Sequence, residues 1–405
     1  MTTMMPHQEL NIRWDRCRNL LRELAPQAGG LFVFSRLNIY YLTGTFGNGL
    51  LWLPLDGEPV FLCRRGFERA KIESPLKKVF TFYSYKDVEP TLQDAGVALS
   101  KTIAVEMGGL SWMLGNSFSK YLPGREFVSG DRVLSICRSK KTAWELERLR
   151  TAGKRHEVCL VEKLPGLLKP GMTELEIGHV ISDLFFREGH HGILRMENYG
   201  EEVYQGHIAV GESGNYPSVF NGPLGLRGIH PAVPHMGSHE VSWQPGTPLS
   251  IDNGYTLEGY QTDKTQIYWL GERKSIPEGV RRAHDFCIDI QAWVAQHLKP
   301  GALPSDIWAH CSAAAEKQGW NEGFMGLGKN KVGFVGHGIG LAVDEYPALA
   351  KGFDRPLEEG MVIAVEPKMG ISGVGMVGVE NTFEVTAKGG KSLTGEQYEI
   401  ICLKA

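Results

Sequence analysis

Two aspartates, Asp252 and Asp263, lie eleven residues apart in the stretch Pro245–Thr265, PGTPLSIDNGYTLEGYQTDKT. The stretch reads as two short strands, with Gly254 and Gly259 bracketing the turn between them. Residues directly opposite in an antiparallel hairpin point to the same face. Both carboxylates are therefore expected on one face, with Leu249, Ile251, Ile267 and Tyr268 anchoring the strands around them. Two carboxylates held that close repel. They need a shared proton, a basic partner or a metal cation.

A repeat in the chain bears on that choice. Leu168-Lys169-Pro170-Gly171 leads into a predicted helix ending at Glu188-Gly189, and Leu298-Lys299-Pro300-Gly301 leads into one ending at Gln318-Gly319. The offset is 130 residues at both ends, and Gly206-His207 and Tyr216-Pro217 recur at the same offset as Gly336-His337 and Tyr346-Pro347. The aspartate stretch recurs as well. Gly246 stands six residues before Asp252 as Gly360 stands six before Glu366, and Asp263 precedes Thr265 by two as Glu380 precedes Thr382. An offset kept over several landmarks implies two related halves. Each is a helix pair followed by antiparallel strands, and the two face each other about a pseudo-two-fold axis.

Facing halves bring Asp252 and Asp263 against Glu366 and Glu380. Any one of these acids alone reads as a solvated turn residue. Yet Val362-Ile-Ala-Val-Glu366 and Leu249-Ser-Ile-Asp252 each place a carboxylate inside a strand that otherwise favours burial. Four carboxylates in one cleft cannot all stay ionised without cations, and their number suggests two ions. His337, flanked by glycines in Val335-Gly-His-Gly-Ile-Gly340, is the natural nitrogen ligand. One imidazole with four carboxylates suits Mn, Co, Fe or Zn, manganese first, better than Ca.

The elements that must hold these residues fall into two domains, as 405 residues predict. A helix over 8–25 is followed by short apolar runs at Leu31-Phe34, Leu50-Leu53, Val60-Cys63 and Val79-Phe82, with Asp56-Gly57 as a hairpin turn. Helical patterns near 66–73, 87–97 and 111–121 alternate with a strand at Thr102-Glu106, which makes residues 1–140 an α/β domain. The charged run Arg138-Ser-Lys-Lys-Thr142 marks the boundary, and residues 141–405 form an α+β domain with the repeat. Thr142 and Glu145 form a capping box for a helix expected to run from Ala143 to Leu164. The net charge of -3 gives no reason to expect nucleic acid or an anionic membrane as partner. Seven scattered cysteines, no leader-like apolar segment and no membrane-length apolar run point to a cytoplasmic protein.

With these residues in view, nearly the whole chain resembles the creatinase/prolidase/aminopeptidase P metallopeptidases. Asn38-Ile-Tyr-Tyr-Leu-Thr-Gly44 resembles their N-terminal-domain signature, and Arg138-Ser-Lys-Lys with Trp144-Glu-Leu-Glu-Arg-Leu-Arg150 resembles their linker and first helix. Asp252, Asp263, His337, Glu366 and Glu380 match the five metal ligands one for one, and His235 matches a substrate-contacting histidine. The resemblance implies a creatinase-like N-terminal domain, a pita-bread catalytic domain and a homodimer. It implies hydrolysis of the N-terminal peptide bond of peptides, of Xaa-Pro type. A hydroxide bridging two metals would attack, with Glu366 as general base and His235 stabilising the substrate or tetrahedral intermediate.

The chain departs from that pattern twice. Asp344 stands where the family usually has a second histidine, in Gly336-His-Gly-Ile-Gly-Leu-Ala-Val-Asp344, and an ionised Asp can only accept. It is assigned to substrate binding and catalysis, as a base or a partner for a positive group. Gly378 stands where family peptidases often carry an arginine, two residues before Glu380, which argues against strict dipeptidase action unless Arg227 or Arg355 substitutes. These departures keep open a non-peptidase C–N hydrolase or lyase acting on a small amide, and behind it a non-catalytic interaction protein. Two further motifs are read as decoys. Gly323-Phe-Met-Gly-Leu-Gly328-Lys329 follows a helix and reads as a glycine-rich turn rather than a phosphate loop, and His190-His191 reads as a surface pair at a helix end.

Overall fold

The structure is a computed structural model that describes residues 4–197 and 203–404. The chain divides into two compact units, one ending at Arg138 and the other beginning at Ser139.

The first unit is an α/β layer. Its strands are β1 (Gly30–Val33), β2 (Asn48–Pro54), β3 (Val60–Arg65), β4 (Val79–Thr81), β5 (Thr102–Val105) and β6 (Glu126–Ser129), in sheet order β4-β3-β2-β1-β5-β6. Helix α1 (His7–Leu24) buries Leu10, Trp14, Cys17, Leu20 and Leu21, an apolar stripe at helical spacing. The Asn38–Gly44 signature forms a short helix, α2 (Arg36–Thr43), that periodicity does not show. Ser35 caps its start, and Gly44 closes it in the left-handed conformation that glycine favours. Asn38 is the joint here. Its amide donates to Glu106 Oε1 at 2.7 Å and its carbonyl accepts from Arg138 Nη1 at 2.8 Å. Helices α3 (Phe67–Glu73), α4 (Val88–Asp94), α5 (Trp112–Lys120) and α6 (Asp131–Ser139) complete the unit.

The run expected as a charged linker is buried. Arg138 is 2 % and Lys141 4 % exposed. Buried charges need partners. Lys141 Nζ lies 2.9 Å from Glu345 Oε2, and Arg138 Nη1 donates to the neutral side-chain carbonyl of Asn38.

In the second unit α7 (Ala143–Glu157) starts at the Thr142–Glu145 capping box. The helix does not continue to Leu164 in α form. It loosens into a π turn at Val158–Lys163 and a 3-10 turn at Leu164–Gly166. Pro165 contributes to this, because it donates no N–H to the preceding turn, although Leu164 before it keeps helical dihedrals. Helices α8 (Glu174–Arg187), α9 (Glu278–His297) and α10 (Pro304–Lys317) follow. The first residues of α8 and α10 differ by 130, and so do their last. The repeat is therefore a repeat of structure.

The strands of this unit are β7 (Gly206–Val210), β8 (Pro248–Leu257), β9 (Tyr260–Leu270), β10 (Phe334–Gly338), β11 (Glu345–Ala350), β12 (Val362–Val365), β13 (Lys368–Ile371), β14 (Gly375–Gly378), β15 (Glu380–Thr386), β16 (Gly389–Ser392) and β17 (Ile401–Leu403). Among the described residues one sheet runs β11-β10-β12-β15-β9-β8-β7, with β16 on β15 and β17 beside β9. The β13–β14 hairpin stands apart. Two apolar cores back the sheet. Cys159, Ile177, Ile181, Phe185, Ile251 and Tyr268 belong to the first half, and Cys287, Ile290, Val335, Ile363, Val365 and Phe383 to the second. Each half thus buries its own helix pair against its own strands, leaving the opposite sheet face to carry polar groups.

Candidate metal centre

The β8–β9 hairpin turns at Glu258-Gly259, both with positive φ (50° and 85°), which suits a tight two-residue turn. Its register refines the expected pairing. Asp252 lies opposite Thr265, and Asp263 lies opposite Gly254. The two aspartates are therefore diagonal neighbours on one face rather than a facing pair. Gly254 leaves room for the Leu194 side chain, whose methyls would lie 2.7–2.8 Å from a Cβ there.

The second half meets this hairpin edge to edge. Glu380 opens β15 opposite Thr265, so Asp252, Thr265 and Glu380 form one row across three strands. Thr265 Oγ1 donates to Glu380 Oε2 at 3.0 Å, and Thr382 Oγ1 bonds both the N–H and the carbonyl of Asp263 at 2.8 and 3.0 Å. Each threonine found two residues after an acid in the repeat thus holds the acid-bearing residue of the other half. Glu366 follows β12, and His337 sits on β10 opposite Ala364. His337 Nδ1 faces the Gly338 carbonyl at 3.1 Å, and as a donor there it leaves Nε2 with a free lone pair. Nε2 lies 3.4 Å from Glu366 Oε1 and 3.9 Å from Glu380 Oε1.

The five expected ligands are brought together, and a sixth group lies among them. Lys368 Nζ is 3.1 Å from Asp252 Oδ2, 3.0 Å from Glu366 Oε2 and 2.7 Å from Glu380 Oε2. Its side chain is 1 % exposed. Burial alone would lower the Lys368 pKa, but Asp252, Glu380 and Glu366 outweigh it and hold the ammonium charged. Burial raises Asp252 too, yet Lys368, His207 and its hydrogen bonds keep that carboxyl below its ordinary range. Asp263 is pushed well up by burial and then by Asp252, and Glu380 by burial and then by Asp263. Asp263 and Glu380 hold protons most readily, and a divalent ion would displace them.

One subset fits such an ion. Asp263, His337 and Glu380 each offer a ligand atom, all within 4.8 Å of one another. That span suits metal–ligand bonds of about 2 Å, and mixed carboxylate and imidazole donors suit a divalent transition metal. Asp252 and Glu366, the remaining two acids, are bonded by Lys368.

His235 is half-buried and its Nδ1 has no hydrogen-bond partner. Its ring lies 5.5 Å from Phe220, whose other neighbour is His207 at 4.6 Å. His207 lies opposite Asp252 in the β7–β8 ladder, so this aromatic row leads to the acids. Phe220 also lines a cavity of about 230 Å³ with Asn215, Tyr216, Lys329 and Met376. Asp344 is half-buried, and one of its oxygens accepts the Glu197 N–H at 2.5 Å. His190, expected at the surface, is buried at 3 % and accepts the Thr256 N–H through Nδ1 at 2.9 Å. The chain folds back after Gly189 and lays it against Phe185 and Tyr255. Gly323–Asn330 forms a turn containing positive-φ Gly326 and Gly328.

Sequence reading missed Lys368, although it had a signal, a cation between Glu366-Pro and Met369 in an otherwise apolar run. His207, the repeat partner of His337, reads from the sequence as a core residue, and the structure sets it opposite Asp252.

The family model of metallopeptidase family M24 matches residues 147–387, and that of the creatinase/prolidase N-terminal domain matches residues 13–140. The Xaa-Pro dipeptidase of Lactobacillus delbrueckii subsp. lactis is 31 % identical over 95 % of this chain and 97 % of its own. The Xaa-Pro dipeptidase of Pyrococcus furiosus is 24 % identical over 92 % and 94 %. In structure, dipeptidase PepE of Mycobacterium ulcerans matches with a TM-score of 0.79 at 23 % identity, over all of both chains. The fold is the pita-bread fold behind a creatinase-type N-terminal domain. The chain belongs to metallopeptidase family M24, among its prolidase- and aminopeptidase P-like hydrolases.

Proposed function

We propose that this protein hydrolyses the N-terminal peptide bond of short peptides, of Xaa-Pro type, with a divalent metal held by Asp263, His337 and Glu380. The observation that carries the reading is the convergence of those three side chains, from both halves of the repeat, within 4.8 Å. An ion held there would supply Lewis-acid polarisation of the scissile carbonyl and a lowered pKa for the attacking water. Glu366, with Oε2 fixed by Lys368 and Oε1 turned toward His337, would accept a proton from water as general base. His235, with its Nδ1 uncommitted, binds the substrate or the tetrahedral oxyanion beside Phe220. Asp344, anchored to the Glu197 N–H, stands at the substrate side as an acceptor.

The test is a panel of Xaa-Pro dipeptides and longer peptides with free N-termini, incubated with manganese-loaded protein while proline or the first residue is assayed. Turnover of Xaa-Pro bonds is expected. No turnover of any member by ion-loaded protein would sink the reading.

A second reading, a non-peptidase C–N hydrolase or lyase on the same fold, is favoured by Asp344 and by Gly378. On that reading Asp344→His raises peptide hydrolysis, and an unchanged rate removes its motive. In either case the thiols suit a cytoplasmic setting, since all seven cysteines are free. Trp112 and Met113, 87 % and 74 % exposed on α5, support a homodimer in which a second copy covers them. Light scattering of the purified protein decides between dimer and monomer.

A further inference from the structure

Lys368 stands where charge is needed most. Its ammonium donates to Glu366 Oε2 and Glu380 Oε2 and lies 3.1 Å from Asp252 Oδ2, so it meets acids carried by three different segments. Both glutamates bridge. Glu366 presents Oε2 to Lys368 and Oε1 to His337 Nε2, and Glu380 does the same at 2.7 and 3.9 Å. Two carboxylates that each give one oxygen to either side of a site are arranged for a pair of cations. One side of that pair is filled by the ammonium, and the other is the Asp263–His337–Glu380 triad.

The backbone is shaped for this arrangement. Gly378 lies directly opposite Lys368 in the β13–β14 hairpin. Its φ is 145°, and a Cβ there would come within 2.6 Å of Lys368 Cα and 3.1 Å of Lys368 Cγ. The closest of these contacts are with the backbone at 367 and 368, so this positive-φ hairpin position admits only glycine, and the Lys368 stem packs directly over it.

We propose that the Lys368 ammonium takes the place of one of the two divalent cations, so that the protein holds a single-ion centre on Asp263, His337 and Glu380. An ammonium fixes carboxylates as a cation does, but it has no open coordination position. Two ions do not fit these residues together with Lys368. The inference rests on the proposed metal-dependent function and narrows it to one ion.

Equilibrium dialysis of the full-length protein against manganese, followed by elemental analysis, tests it. One ion per wild-type chain is expected, with the electron paramagnetic resonance of an isolated ion. None per chain, two per chain, or a spin-coupled spectrum overturns it. Lys368→Gly and Lys368→Met, checked for folding by circular dichroism, are expected to bind one ion more than the wild type, and an unchanged count also overturns it. The wild-type measurement decides even if both variants fail to fold. A one-ion protein that cleaves no peptide of the panel would refute the peptidase reading and leave the proposal standing. A two-ion protein that cleaves them would do the reverse.

Discussion

Gly378 and Lys368 face each other across the β13–β14 hairpin, and a Cβ at 378 would come within 2.6 Å of Lys368 Cα and 3.1 Å of its Cγ. A methyl group at 378 meets the Pro367 carbonyl at 2.4 Å as well as Lys368. Gly378→Ala is therefore expected to destabilise the protein by about 1–3 kcal/mol, from overpacking and from the positive φ together. Urea unfolding measures it, and an unchanged midpoint would show that the hairpin shifts freely.

Removing the ammonium leaves three buried acids without their partner. Breaking a buried ion pair on one side costs roughly 3–5 kcal/mol. Lys368→Met should lose stability of that order in the presence of a chelator. Added manganese should restore more of it in the variant than it adds to the wild type, as linkage requires of a ligand that binds only the folded state.

His337 carries the nitrogen of the triad, with Nε2 3.4 Å from Glu366 Oε1 and 3.9 Å from Glu380 Oε1. His337→Ala is expected to weaken manganese binding by more than about 100-fold, since even groups that merely orient a ligand are worth 10–100-fold. Titration calorimetry reads the affinity, and the thermal midpoint of metal-free protein should move little.

Glu366→Gln keeps the size of the side chain and removes its basicity. Turnover should fall by about 10²–10⁴-fold, the range of a general base. KM should change far less. A loss confined to KM would instead place Glu366 in substrate binding.

His190 is held neutral inside the fold. Burial first, then His191, lower it from the ordinary 6.5 to about 4. Its unfolded form takes up a proton at higher pH than its folded form, so its contribution is present above about 6.5 and is lost as pH falls toward 4. The full shift corresponds to roughly 3 kcal/mol. Urea midpoints should drop between pH 6.5 and 4.5, and the drop should shrink in His190→Gln. A pH dependence unchanged by that substitution would assign the effect to other buried groups.

Much of this was legible in the sequence because it is local or periodic. Apolar runs at Val362–Val365 and Leu249–Ile251 marked Glu366 and Asp252 as acids attached to buried strands, and the 130-residue offset paired α8 with α10. The capping box at Thr142 and Glu145 needs only a three-residue spacing. The five acid and imidazole positions follow from the same patterns.

What the patterns did not show was a base among the acids. The aspartate pair alone left a proton, a base and a metal open, and the repeat then pointed to metal ions. Only the tertiary structure brings Lys368 onto Asp252 together with Glu366 and Glu380, because the Asp252 contact joins segments more than a hundred residues apart through a long, rotatable stem. A lysine by composition belongs at the surface. Its place here follows from the β13–β14 register, which is not encoded in any stretch near the aspartates.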